Sequence, residues 1–120
     1  MTWKNFTREE FRCKCGCDTN EITDELINFA QEIRTEAGFA LPVTSGYRCP
    51  KHKSERAKKK PGTHAKGLAV DFGLSHGQAR IVTRIALSKS RGGVGVNQKG
   101  LARFIHVDVE QERTGRLWTY

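Results

Sequence analysis

The sequence lacks any long hydrophobic run, and its first residues lack the apolar stretch of a secretory signal peptide. No segment approaches the roughly 20 apolar residues that a membrane-spanning helix requires. We therefore expect neither a transmembrane segment nor an export signal. Internal repeats, low-complexity segments and linkers are also missing, so the 120 residues predict a single domain, residues 1–120, with one modest core.

Acidic residues are few relative to basic ones: 13 Asp and Glu stand against 21 Lys and Arg, a formal net charge of +8. Such a surface favours anionic partners, including nucleic acid, acidic lipids and anionic cell-wall polymers. Much of the charge comes from one basic cluster: Lys51, Lys53, Arg56, Lys58, Lys59 and Lys60. It contains no interleaved aromatic residues that could stack bases, so we expect no specific nucleic-acid binding. The basic cluster either attracts an anionic partner or is simply a solvated loop.

Cysteine is scarce, and the four residues are distributed unevenly. Three lie in the motif Cys13-Lys14-Cys15-Gly16-Cys17, and the fourth is Cys49. The spacing is not that of a zinc ribbon, so three interpretations remain: a metal site, one or two disulfides, or free and partly buried thiols. We expect residues 1–22 to be an irregular structural segment anchored by Phe6 and Phe11.

Two separate segments predict strands that carry polar side chains on one face only. The first is Leu68-Ala69-Val70-Asp71-Phe72, and the second is Phe104-Ile105-His106-Val107-Asp108-Val109. Alternation puts Asp71 of the first segment, and His106 with Asp108 of the second, opposite the apolar side chains. A half-buried carboxylate needs a hydrogen-bonded partner or a cation, because burying a lone charge is costly.

Together with the preceding His64, these strands supply two imidazoles and one carboxylate: His64, Asp71 and His106. Catalytic zinc commonly has three protein ligands of this kind and an open fourth position. We therefore predict a Zn²⁺ site at the sheet. The alternative is that each histidine lies alone, in the core or at the surface, while the carboxylates pair with Lys or Arg.

Helical periodicity and capping residues predict two helices. The first begins after Thr23, a cap residue, and ends at Gly38. The second begins at Ser75, with Gln78 in the position of a capping box, and ends at residues 92–93. Both have one apolar stripe that we expect to pack on the sheet.

The remaining segments predict short strands, and some of the residues that follow these strands are candidates for a functional role. We expect a strand at residues 41–44, in which Pro42 lies near a sheet edge or at the beginning of the strand. Residues 94–96 are expected to lead through a turn at 97–100 into the His106 strand. Arg48 is expected at the end of the earlier strand, where its planar guanidinium can bind a carboxylate or a carbonyl of a ligand. The alternative is a salt bridge with a nearby acidic residue. The aromatic residues of 116–120 line a cleft rim or cap the core.

Several motifs, in this order and spacing, carry a resemblance over nearly the whole chain. They are Phe11-Arg12-Cys13-Lys14-Cys15-Gly16-Cys17, Thr44-Ser45-Gly46-Tyr47-Arg48-Cys49-Pro50, the His64, Gly67, Ala69, Asp71 pattern, His106-Val107-Asp108 and the late Trp118. On these residues the chain resembles the M15 family of zinc metallopeptidases, particularly the small cell-wall and phage-type members. The resemblance implies a small α+β domain with an antiparallel sheet, and zinc ligands His64, Asp71 and His106.

The resemblance also implies roles for other residues, and the chain departs from the family pattern both at Gly62, where a serine two residues before the first histidine is common, and at the position of the general base. Many relatives have an acidic general base three residues before the last histidine, where this chain has Arg103. We therefore expect Asp108 to be the catalytic base, or else to orient a zinc ligand. Arg48 is expected in catalysis and substrate binding, and Tyr47 and Trp118 in substrate binding.

The expected function is zinc-dependent hydrolysis of amide bonds in the stem or cross-bridge peptides of peptidoglycan. The family resemblance implies a D-alanyl-D-alanine carboxypeptidase, an endopeptidase or an L-Ala-D-Glu peptidase, acting as a monomer. The lack of a signal peptide suggests a phage endolysin or virion protein, made in the cytoplasm and acting at the periplasm or cell wall. The alternatives are a non-catalytic, zinc-containing wall-binding module and, less favoured, a nucleic-acid-binding protein.

Overall fold

A computed structural model describes residues 2–17, 19–52, 55 and 62–120. Most of the basic cluster, namely Lys53, Arg56, Lys58, Lys59 and Lys60, lies outside the described residues, whereas Lys51 is described and exposed. No helix in the described ranges is both long and apolar enough to cross a membrane.

Two α-helices pack on a five-stranded sheet, as expected for a small α+β domain. The helices are α1 (Asp24–Ala37) and α2 (His76–Lys89), and the strands are β1 (Val43–Ser45), β2 (Ala69–Phe72), β3 (Val94–Asn97), β4 (Phe104–Asp108) and β5 (Leu117–Thr119). Short 3₁₀ helices occupy Arg8–Phe11 and Gln111–Arg113. The N-terminal segment is otherwise irregular, and Phe6 and Phe11 are buried as predicted.

The helix boundaries follow the sequence signals closely at α1 and less closely at α2. The Thr23 hydroxyl accepts a hydrogen bond from the Leu26 N–H, and Gly38 ends α1 with a left-handed φ of 81°. Ser75 precedes α2, but its side chain makes no capping hydrogen bond, so the predicted capping box is not formed. The helix ends at Ser90, which has a left-handed φ of 53°, before the predicted glycine stop.

The sheet has the strand order β1-β2-β4-β3-β5. The pairs β1·β2, β2·β4 and β3·β4 are antiparallel, which includes the predicted hairpin and the predicted edge strand near Pro42. The pair β3·β5 is parallel, so the sheet is mixed rather than wholly antiparallel. A strand at residues 117–119 was not predicted, because its few residues depend on a distant partner for their hydrogen bonds.

The core lies between the helices and one face of the sheet. From the strands it receives Val70, Phe72, Ile105 and Val107, all fully buried. The register of β2 against β4 pairs Phe72 with Ile105 and therefore Asp71 with His106. The apolar contacts thus determine which polar residues meet on the opposite face.

Candidate metal centre and cleft

Three side chains from the two central strands and the preceding turn converge on the polar face of the sheet. His64 is in the turn at residues 63–67, Asp71 in β2 and His106 in β4, and we call these three residues the His–Asp cluster. Asp71 Oδ1 lies 3.2 Å from His64 Nε2 and 3.0 Å from His106 Nδ1, and the two nitrogens are 3.2 Å apart. The sequence prediction that these three residues meet is therefore matched by the geometry.

The outer nitrogen of each imidazole has its own partner. His64 Nδ1 donates to the Gly46 carbonyl at 2.8 Å, and His106 Nε2 donates to Asp108 Oδ2 at 2.8 Å. When protonated, the inner nitrogens donate to Asp71 Oδ1. When a metal ion displaces that proton, each ring keeps its proton on the outer nitrogen and presents a lone pair on the inner one. Two lone pairs and a carboxylate oxygen then face the same point, an arrangement that a cation stabilises.

The dimensions and chemistry of this set fit zinc. Zinc bonds of about 2.0–2.1 Å to nitrogen and oxygen put tetrahedral donors about 3.3 Å apart, close to the separations found here. Two imidazoles and one carboxylate leave a fourth position for water or substrate, as in catalytic sites. All three residues are buried, so the donors are held in place by their surroundings.

The charges of the cluster are strongly coupled. Burial works against ionisation of Asp71, but hydrogen bonds from His106 and His64 outweigh it and hold the pKa of Asp71 well below its usual range. Burial also opposes a charge on His106, yet hydrogen bonds to Asp108 and Asp71 raise its pKa above the usual value. The carboxylate is therefore ionised throughout the physiological pH range.

Asp108 lies behind the His106 ring and not in the cleft. It is fully buried, and its second oxygen accepts hydrogen bonds from the Gly93 and Glu110 N–H groups at 2.8 and 3.2 Å. It could reach a water molecule on the open side of the cluster only if His106 moved. This position does not support the expected role as catalytic base, and favours the alternative of orienting a ligand.

The cluster lies at the bottom of a cleft of about 270 Å³. Besides the cluster itself, the cleft is lined by Arg48, Gly62, Thr63, Phe104, Arg113, Trp118 and Tyr120. Arg48 reaches Asp71 Oδ2 with Nη2 at 3.4 Å and Ser45 Oγ with Nε at 3.0 Å. The predicted cleft residues Arg48 and Trp118 are therefore both present.

Tyr47, by contrast, is absent from the cleft lining. It is 3% exposed, and its hydroxyl donates to Glu21 Oε2 at 2.7 Å. Burial, reinforced by Glu21, raises the pKa of Tyr47 to about 12. Successive residues of an extended segment point to opposite sides, so Arg48 faces the cleft and Tyr47 faces away from it. Its predicted role in substrate binding is not supported.

The far wall of the cleft comes from the C-terminal strand β5 and the 3₁₀ helix Gln111–Arg113 before it. The Trp118 ring lies 5.2 Å from the His106 ring, and the Arg113 guanidinium lies 5.3 Å from the Trp118 ring centre. A Cβ atom at Gly95 would lie only 2.6 Å from Trp118 Nε1, so glycine allows the indole to approach β3. Arg113 was not predicted because no sequence pattern distinguishes it, whereas Tyr120 belongs to the aromatic segment that was expected at a rim.

The chain was compared with models of known protein families. A family model described as Peptidase M15 matches residues 2–108, which include every residue of the His–Asp cluster. No curated protein matches the chain significantly.

Proposed function

Because the chain belongs to the M15 peptidase family, a family of metal-dependent peptidases, we propose that its His–Asp cluster holds a zinc ion used to hydrolyse peptidoglycan peptides. The observation that carries the proposal is the convergence of three donors at 3.0–3.2 Å with both outer imidazole nitrogens occupied. A bound zinc ion supplies Lewis-acid polarisation of the scissile carbonyl and lowers the pKa of a coordinated water toward about 7.

The protein's own residues position the ligands and the substrate. The Gly46 carbonyl and Asp108 hold the two imidazoles in the orientation that directs their lone pairs inward. Arg48 lies beside Asp71 at the cleft and can donate hydrogen bonds to the substrate carbonyl as negative charge develops on its oxygen. Trp118 and Tyr120 offer an apolar wall against which a peptide can lie.

Charge supports an anionic substrate. Arg48 and Arg113 both line the cleft, and each guanidinium can bind a carboxylate through two parallel hydrogen bonds. The chain as a whole has a formal charge of +8, which attracts a polyanionic wall. Stem peptides of peptidoglycan carry free carboxylates and lie within such a wall, so both features favour them over neutral peptides.

A second candidate is a zinc-containing module that binds the wall without cleaving it. Among the described residues that line the cleft, Asp71 is the only carboxylate, and it belongs to the His–Asp cluster. A second acid that could accept the proton from water is thus missing from this described lining, an observation that favours the binding module. The phage lysis or virion setting stays a prediction.

The test is to incubate purified murein with zinc-loaded protein and to identify released peptides by mass spectrometry. We expect new amino and carboxyl termini in the wild type, which also reveal the bond that is cut. His64→Ala should lose one zinc ion per chain by elemental analysis and lose cleavage by about 10³-fold or more, because the donor set is incomplete. His76→Ala is the matched control, since His76 is exposed and outside the cluster.

The outcomes separate the candidates. Murein that is bound by the wild type but never cleaved would indicate the binding module. A wild type whose zinc content does not exceed that of His64→Ala would overturn the metal assignment itself. Equal cleavage of casein and murein would support a peptidase while rejecting the proposed substrate class.

A further inference from the structure

The four cysteines, although distant in sequence, meet at a second place in the molecule. Cys13, Cys15 and Cys17 belong to the N-terminal loop, Cys49 follows Arg48, and we call these four residues the cysteine cluster. Their four sulfur atoms all lie within 4.8 Å of one another. Cys15 Sγ is 3.4 Å from Cys13 Sγ and 3.3 Å from Cys49 Sγ, and all four are free thiols in the structure.

Four sulfurs around one point match a metal better than they match paired disulfides. Zinc–thiolate bonds of about 2.3 Å put tetrahedral sulfurs about 3.8 Å apart, within the range found in the cysteine cluster. Disulfide formation brings sulfurs together in twos and does not require two pairs to share a common centre. A closed set of four thiolates is also the donor set of structural rather than catalytic zinc.

The backbone around the cluster is arranged to direct the sulfurs inward. The Cys49 N–H donates to Cys13 Sγ at 3.3 Å, and the Thr19 N–H donates to Cys17 Sγ at 3.5 Å. Such N–H···S hydrogen bonds stabilise negative charge on sulfur, as hydrogen-bond donors beside metal ligands commonly do. Gly16 has a φ of 98°, a left-handed turn that lets the flanking Cys15 and Cys17 face the same centre.

The cluster joins two parts of the chain next to the cleft. The Tyr47 N–H donates to the Phe11 carbonyl at 2.8 Å, and a Cβ at Gly46 would lie 2.5 Å from the same oxygen, so the two segments are in close contact. The next residue, Arg48, donates its N–H to the His64 carbonyl at 3.2 Å. The short segment 46–49 therefore connects the cysteine cluster with the His–Asp cluster.

We propose that Cys13, Cys15, Cys17 and Cys49 bind a second, structural zinc ion that fixes the N-terminal loop against the segment carrying Arg48. Binding replaces thiol protons with the metal, and the protons pass to solvent. The ion completes a closed tetrahedral set, so it has no open position for substrate. The proposal stands whether or not the protein cleaves murein, because it concerns a separate donor set.

The test is metal content and cobalt spectroscopy of protein purified in a reducing buffer. We expect about two zinc ions per chain in the wild type and about one in His64→Ala and in the double variant Cys15→Ser/Cys17→Ser. Cobalt-substituted His64→Ala should retain the intense sulfur-to-metal charge-transfer band, and the double variant should lose it. His64→Ala lacks the proposed catalytic site, so this band reports the cysteine cluster alone.

Other outcomes overturn the proposal. One is a wild type with a single zinc ion that disappears in His64→Ala while all four thiols react with a thiol reagent. Another is a reduced wild type that binds no second metal and, on exposure to air, loses thiols in pairs as disulfides. If the double variant fails to fold, the zinc stoichiometry of the wild type and the cobalt spectrum of His64→Ala still decide whether the cysteine cluster binds a metal ion.

Discussion

The two faces of the central strands differ in what their side chains do, although they alternate residue by residue. Val70 and Phe72 of β2 are fully buried against the helices, while Asp71 between them belongs to the His–Asp cluster. In β4, His106 is likewise flanked by fully buried apolar neighbours. The apolar face thus fixes position and register, and the polar face holds the donors at the separations that metal binding needs.

The two faces also differ in what burial costs. On the apolar face, removal from water is itself favourable, at about 25 cal/mol for each Å² of apolar surface. On the polar face, burial opposes the charges of Asp71 and His106, and their mutual hydrogen bonds have to offset it. The stability of this domain therefore comes mainly from the apolar face of the sheet, and its chemistry comes from the polar face. Four experiments, three with single variants and one with a double-mutant cycle, test this division.

The largest effect is expected on the apolar face. Phe72→Ala removes a fully buried ring beside Asp71 and should lower the free energy of unfolding by about 3–5 kcal/mol, from the lost burial and the cavity left behind. Urea unfolding measures the change, and zinc affinity of the folded protein should stay within about threefold. Leu101→Ala is the control, because Leu101 is fully exposed and should change stability by less than about 0.5 kcal/mol. A loss below 1 kcal/mol for Phe72→Ala would contradict the division.

The next largest loss of stability is expected in the turn that connects His64 with β2. Gly67 has a φ of 72°, its carbonyl accepts from the Thr23 N–H and hydroxyl, and a Cβ there would lie 2.1 Å from the Glu21 carbonyl oxygen. Gly67→Ala should therefore cost about 2–3 kcal/mol through backbone strain and steric clash, and should weaken zinc binding by moving His64.

Gly38→Ala is the matched control for that turn. Gly38 has a similar φ of 81° but open space around its Cβ position, so only the conformational cost of about 1 kcal/mol applies. Thermal unfolding measures the loss of stability in both variants, and zinc titration measures their zinc affinity. Equal losses in the two proteins would show that the clash with Glu21 does not matter.

A smaller effect is expected on the polar face, at the residue that orients His106. Asp108→Asn cannot satisfy all its neighbours: an amide oxygen directed at the His106 N–H turns the NH₂ group toward the Gly93 and Glu110 N–H donors. Zinc affinity should fall about 10- to 100-fold, equivalent to about 1.4–2.7 kcal/mol. Competition with a chromogenic chelator measures the zinc affinity. Asp24→Asn is the control, because Asp24 lies at the exposed start of α1. An affinity unchanged by Asp108→Asn would exclude an orienting role.

Local sequence signals predicted the elements whose determinants are close together in the chain. Thr23 and Gly38 delimit α1 because a cap and a left-handed stop each act within one turn of helix. Alternation in β2 and β4 predicted the faces of Asp71 and His106 because the strand period is two residues. The three-donor site could be predicted because its residues follow from these local patterns and from the family resemblance.

Features that depend on distant partners were not predictable in the same way. β5 exists through its parallel pairing with β3, which its own exposed Leu117 does not signal. The cysteine count left a metal, disulfides and free thiols equally open, because spacing alone cannot show that Cys49 approaches the N-terminal loop. Asp108 was assigned to the right face, but its depth behind His106 depends on the backbone of Gly93, which immediately precedes the neighbouring strand β3.

The smallest effect is expected for charges that lie outside both faces of the sheet. Arg91 pairs with Glu32 of α1, and both side chains are more than a third exposed. Because solvent screens this pair, a double-mutant cycle with Arg91→Ala and Glu32→Ala should give a coupling energy of about 0.2–1 kcal/mol that falls as salt is added. Zinc binding should not change. A coupling above about 2 kcal/mol would mean that exposed ion pairs rival the buried charges of the His–Asp cluster, and the contrast between screened and buried charge in this domain would fail.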